Sequence, residues 1–188
     1  MSAKYPGVRP MIYASMFAAL TAVGALIRIP IPVSPVPLTL QVFFVLLTGL
    51  VLGSRWGATG MAVYVMLGII GFPVFSGGSS GVGVILGPAG GYLIGFVMGA
   101  FVTGLIVENL GKSTIATITA MITGLAVIYT AGVLQLFIIA DMPSIRGAVV
   151  IGVLPFLIGD VIKMVAAFAV AKRIGSIIEY KEVHRIDE

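Results

Sequence analysis

Cysteine is absent, histidine occurs once, and charged residues make up only 10% of the 188-residue chain. Without cysteine there can be no disulfide, no thiolate-bound zinc and no thiol nucleophile. The lone histidine, His184, lies in the polar end of the chain, so neither a histidine metal cluster nor a histidine-based triad can be assembled. Soluble domains carry about 25% charged residues. Here 59% of residues are hydrophobic and the mean hydropathy is +1.17. Too few polar groups remain to coat a globule in water, which leaves an integral membrane protein. The net charge of +4 does not call for nucleic acid, because the basic residues collect at the ends of apolar runs, where membrane topology accounts for them.

The apolar runs predict an all-α membrane protein forming a single domain, with six transmembrane spans at about 10–27, 38–52, 58–70, 90–107, 113–139 and 147–171 and a polar tail over 172–188. The first run, Met11 to Ile27, is longer than the usual ~7–15-residue core of a secretory signal and reads as a retained span. Pro30, Pro32, Pro35 and Pro37 make the segment after Arg28 an extended connector, since proline removes backbone donors and cannot continue a helix. Gly53-Ser54-Arg55-Trp56-Gly57 predicts a tight turn, and Pro155 a kink in the last span. Residues 71–89 form a long, uncharged, glycine-rich loop between the third and fourth spans, a length that usually signals function. Six spans put Lys4, Arg9, Arg55, Lys112, Lys172, Arg173, Lys181 and Arg185 on one side and Arg28 and Arg146 on the other. That asymmetry places both termini in the cytoplasm and both connectors, 29–37 and 71–89, outside. The chain has no convincing internal repeat, which argues against the common architectures of secondary transporters.

Two apparent catalytic motifs fail on inspection. Gly111-Lys112-Ser113-Thr114 resembles the end of a phosphate-binding loop, but Ile106 stands where that motif needs its first glycine. Leu157-Ile158-Gly159-Asp160 resembles an intramembrane-protease aspartate motif, yet such acid–base chemistry needs two aspartates in one site, and Asp141 is at the far end of the preceding span. What remains is Asp160 with Lys163. A charge at bilayer depth costs ~2.5–3.5 kcal/mol on insertion scales, so a pair of them marks a site or pathway unless it is a structural ion pair. Their i,i+3 spacing puts both on one helix face. A second pattern is a row of small residues in the first span, Ala14, Ala18 and Ala22, suited either to internal packing or to close approach by another helix. Gly91, Gly95 and Gly99 form a similar row in the fourth span, where internal packing is the simpler reading.

Four segments in order carry a resemblance. They are Val36-Pro37-Leu38-Thr39-Leu40-Gln41, Gly71-Phe72-Pro73-Val74-Phe75, the run from Gly87 to Phe96 (Gly-Pro-Ala-Gly-Gly-Tyr-Leu-Ile-Gly-Phe), and Gly159-Asp160-Val161-Ile162-Lys163. Together they make the chain resemble the biotin-specific S-components of energy-coupling factor vitamin transporters, the BioY family. Two departures are small: Ala89 stands where members often have threonine, and Ile158 where they often have proline. The resemblance implies a six-helix, non-enzymatic protein of the cell membrane that captures biotin from outside with high affinity. It implies three partner chains, a transmembrane coupling subunit and two cytoplasmic ATPases, with Ala14, Ala18 and Ala22 as the docking face. It also implies reorientation in the membrane to release the vitamin.

The chemistry of biotin suits the residues. Asp160 can accept from a ureido N–H, while Lys163 can donate to the ureido oxygen or neutralise the valerate carboxylate; the sequence leaves both orientations open. Phe75, Leu86 and Tyr92 are candidates for the apolar wall, and Ser79, Ser80 and Gln41 for further hydrogen bonds. No metal or cofactor is expected, biotin being the transported ligand. The alternative is a self-contained channel or carrier in which Asp160 binds a proton or cation.

Overall fold

The computed structural model describes residues 8–184, with side chains described to residue 174. Lys4 and Arg185, together with the side chains of Lys181 and His184, therefore lie outside the described residues. In chain order the elements are α1 (Val8–Leu26), β1 (Arg28–Ile29), β2 (Leu38–Thr39), α2 (Gln41–Ile69), α3 (Val82–Ile85), α4 (Gly90–Leu110), α5 (Thr114–Ile139), α6 (Ile145–Gly152) and α7 (Leu154–His184). Five helical stretches are long and apolar enough to cross a membrane: α1, α2, α4, α5 and Leu154–Ile174 of α7. The chain is thus an α-helical membrane protein.

The stretch α2 consists of two helical legs that meet at a non-helical residue. Gly53 has φ 77 and ψ −174, a conformation that only glycine adopts readily. Across this one residue the chain folds back. A Cβ on Gly57 would lie 3.2 Å from Gly49 Cα, whereas eight residues of straight helix span about 12 Å. Likewise the Gln41 amide donates to Tyr64 Oη at 2.6 Å across the hairpin. The predicted turn over 53–57 is therefore a single-residue reversal, and Arg55 and Trp56 are already helical. Glu108 at the end of α4 secures it: its carboxylate accepts from the backbone N–H of Ser54 at 2.8 Å and from Ser54 Oγ at 2.6 Å. A carboxylate at the start of the returning leg satisfies an orphan donor and complements the helix dipole.

The legs of α2 pack between α1 and α4, and α4 packs on α5. The glycine row of α4 is internal, since a Cβ on Gly95 would come within 2.9 Å of Ile128 Cα on α5. Ser113 caps α5, its hydroxyl accepting from Ala116 N at 3.2 Å, which accounts for the polar residues of the failed phosphate motif. The last helix is seated differently. Of an apolar stretch of 18 residues within Leu154–Ile174 only 22% is buried inside the chain, against 61% of the corresponding stretch of α4.

The alanine row of α1 is corrected by the packing. Ala14 and Ala18 are each 2% exposed, and Gly60 on the returning leg of α2 packs directly on the Ala14 backbone. Both lie in contact with this chain's own helices, so they cannot form an external docking face, and Ala22 is half-buried. A four-residue spacing identifies a helix face but not which neighbour covers it.

Two stability outcomes follow from this packing. Replacing Glu108 with alanine removes the cap on Ser54 and should cost about 1 kcal/mol, read as a lowered unfolding temperature in detergent micelles; an unchanged midpoint would mean the reversal holds without it. Ala18→Trp should destabilise by at least ~1–3 kcal/mol through overpacking, while the exposed Ala19→Trp leaves the midpoint in place. Equal tolerance of both would place the Ala18 face outside the bundle.

Candidate functional site

The break before α7 shapes the site. Pro155 has no N–H, and Phe156 N bonds Val153 O at 3.0 Å instead of reaching back a full α-turn. The carbonyl of Gly152 is thereby freed, and Tyr92 Oη donates to it at 2.7 Å. The kink expected at Pro155 is a full break that divides the last span into two helices, α6 and α7, and Asp160 lies six residues into α7. At ~1.5 Å per residue that is roughly 9 Å from the start of this helix, much nearer the 29–37 and 71–89 connectors than a straight span would give.

Asp160 and Lys163 face a cavity of about 280 Å³, just below the ~300–1,000 Å³ range of ligand clefts. Both are buried, 2% and 8% exposed. Lys163 Nζ donates to Asp160 Oδ1 at 2.7 Å, and Tyr129 Oη of α5 donates to Asp160 Oδ2 at 2.5 Å. The carboxylate is held from both sides, so its own lone pairs fix its orientation. Each oxygen can still accept one more bond, and the ammonium retains two N–H donors. The triad is neutral as a whole and offers both acceptors and donors. Around it Val42, Leu93, Phe96, Ile128 and Phe156 make an apolar enclosure.

Two connectors complete the walls. The proline-rich segment is not merely extended: β1 and β2 pair antiparallel, Arg28 opposite Thr39, and the enclosed turn lays Pro35, Val36 and Pro37 against the cavity. The 71–89 loop contributes Phe75, Ser76, Ser79, Val84 and Ala89. Tyr64 Oη donates to Val74 O at 3.0 Å, and Gln135 Nε2 donates to Ile85 O at 2.6 Å and Gly87 O at 2.8 Å. The bundle thus grips this loop near both ends. Phe75, 1% exposed, stands edge-on to Tyr64 with ring centroids 5.7 Å apart.

The cavity gathers Asp160, Lys163, Tyr92, Phe75, Ser79 and Gln41 of the residues expected from the sequence. Gln41 is already bonded on both sides, donating to Tyr64 and accepting from Thr39 Oγ1 at 2.8 Å. Ser79 Oγ donates to Ser76 O at 3.0 Å. Two expectations are corrected. Leu86 is 66% exposed and does not line the cavity; Val84 faces it instead, because the short helix α3 turns Leu86 outward. Ser80 also lies outside the lining. Sequence reasoning missed Tyr129, Arg28, Thr39, Ser76 and Phe156. Tyr129 had a readable signal, since a tyrosine within an apolar run must find a partner for its hydroxyl. Among the described residues no group of three His, Cys, Asp or Glu is placed to hold a metal.

A helical membrane protein enclosing a small cavity, apolar on most sides and with a neutral donor–acceptor triad on one, belongs to the class that binds a small, partly polar solute. The chain belongs to the BioY family, whose model matches residues 1–180. It is 46% identical to a biotin transporter BioY of Thermotoga maritima over 89% of this chain and 96% of that protein. A probable biotin transporter BioY of Pyrococcus horikoshii is 43% identical over 85% of this chain and 92% of its own length. The fold is similar to that of a crystallised S-component for biotin from an ECF-type ABC transporter, with a TM-score of 0.83, 27% identity, and 90% of this chain and 92% of that one covered.

The buried pair carries a stability signature. Lys163→Met strands the Asp160 charge and should cost ~3–5 kcal/mol, whereas adding Asp160→Leu should recover much of that loss. Thermal unfolding of the two variants in detergent reads this directly. A double variant no more stable than Lys163→Met would contradict the pairing.

Proposed function

We propose that this chain is the high-affinity, substrate-capturing S-component of an ATP-driven vitamin uptake system and that its ligand is biotin. Membership of the BioY family supports the assignment. The single observation that carries it is the Tyr129–Asp160–Lys163 triad set in an apolar enclosure. A ureido group has two N–H donors and one carbonyl acceptor, matched by the free lone pairs of Asp160 and the spare donors of Lys163. The thioether ring fits the apolar walls. Gln41, Phe75, Ser79 and Tyr92 complete the proposed site.

We infer six crossings, the legs of α2 counting as two because of the reversal at Gly53. With both termini in the cytoplasm, the ribbon and the 71–89 loop face outward, and the cavity they line opens toward the supply of vitamin. This orientation rests on the asymmetry of basic residues. The chain has no nucleotide motif, so ATP-driven uptake requires a coupling subunit and ATPases as separate chains. With Ala14 and Ala18 buried, docking on that subunit would use a different surface.

Titrating purified protein with biotin tests the proposal, and absence of saturable binding would sink it. Asp160→Asn preserves shape but removes the charge, and should weaken biotin binding by ~1.5–3 kcal/mol. Unchanged affinity in that variant would make the pair purely structural.

A further inference from the structure

The two halves of the 71–89 loop are held unequally. The first half is fixed in the bundle. Phe75 is buried and fills the space that a Cβ on Gly68 of α2 would take, and Gly81 N donates to Gly68 O at 2.7 Å. The second half has no comparable anchor. It contains α3, none of whose residues is buried. Val82 and Leu86 are exposed, and a Cβ on Gly83 would meet nothing within 4 Å. Gly81, at the joint between the halves, has φ +91, a conformation that side chains rarely adopt.

Gln135 of α5 supplies the hold that packing does not. Its amide donates to Ile85 O at 2.6 Å and to Gly87 O at 2.8 Å, closing the C-terminal end of α3, where a helix leaves carbonyls without partners. The two glycines that open α4 make this reach possible. A Cβ on Gly90 would lie 2.6 Å from Gln135 Nε2, and one on Gly91 2.7 Å from Gln135 Cβ. Gln135 does not line the cavity, whereas Val84 of α3 does. One amide on a bundle helix therefore fixes a piece of cavity wall that has little else to fix it.

We propose that α3 is a flap on the cavity, hinged at Gly81, and that Gln135 is the positioning residue that latches it. Gln135 acts through α3 and touches no solute. The proposal rests on the biotin reading for its ligand. Two neutral hydrogen bonds make a latch that opens at modest cost, and a single loop residue is enough to absorb the motion. The latch is made in the empty chain, and the same bonds close it over a solute. Losing it therefore speeds entry and exit together and leaves their ratio nearly unchanged. A residue that merely shaped the wall would behave differently, since its loss would speed exit alone and weaken affinity. A loss of fold would lower the fraction of active protein and move neither rate constant.

The test is the kinetics of biotin binding to the full chain in detergent micelles. Gln135→Met keeps the length of the side chain without its N–H donors, and Gln135→Glu keeps the shape. Each should raise both the association and the dissociation rate constant about fivefold to a hundredfold, with Kd changed by less than about threefold. Without ligand, the amide protons of Leu86 and Gly87, which bond Val82 O and Val84 O, should exchange faster in both variants. Unchanged exchange in the middle of α4 and α5 shows that the variants are folded. Faster dissociation with unchanged association, or unaltered rates in both variants, overturns the latch. Wild-type protein that binds no biotin overturns the biotin reading instead. The exchange measurement then decides the latch, and unaltered exchange at Leu86 and Gly87 overturns it.

Discussion

Burying a carboxylate and an ammonium together is the constraint on which the rest of this structure depends. Each charge taken singly into an apolar interior is prohibitively costly, and each must therefore keep the other within hydrogen-bond reach. Neighbouring turns of α7 supply that reach, with the Tyr129 hydroxyl holding the second carboxylate oxygen. Such a triad is satisfied without a ligand yet retains bonding capacity. This allows the cavity to be formed in advance and still to favour a neutral polar guest over water or lipid.

Several local devices serve that arrangement. The reversal at Gly53 folds α2 so that Gln41 meets Tyr64, and Tyr64 in turn holds the loop at Val74. The break at Val153 begins α7 anew, and Tyr92 satisfies the carbonyl that the break frees. Gln135 secures the far end of the loop. Each device answers a backbone carbonyl that folding would otherwise leave without a partner.

Composition alone made the helices and the membrane legible, because long apolar runs admit few other solutions. The Asp160–Lys163 pair was legible for the same reason: charge in such a run is conspicuous. Position within the loop was not. Helical period says which residues share a face, but a glycine-rich loop has no period, so the choice of Val84 over Leu86 depended on the turn of α3. Arg28 was obscured by a competing explanation, since a basic residue at a span end already satisfies the topology rule. The alanines of α1 were misread because small residues occur on both its faces, Ala14 and Ala18 inside, Ser15 and Ala19 outside.

The light seating of α7 has a consequence for how the protein reports on its contents. This helix is the least buried of the five long apolar helices, yet it supplies Phe156, Asp160 and Lys163 to the cavity wall. A solute in the cavity would touch α5, the ribbon and the 71–89 loop as well, and so would act as mortar between α7 and everything opposite. Occupancy and the docking of α7 are then linked equilibria, and linkage is reciprocal. Whatever clasps α7 in its seat tightens the hold on the solute, and whatever levers it away lets the solute go.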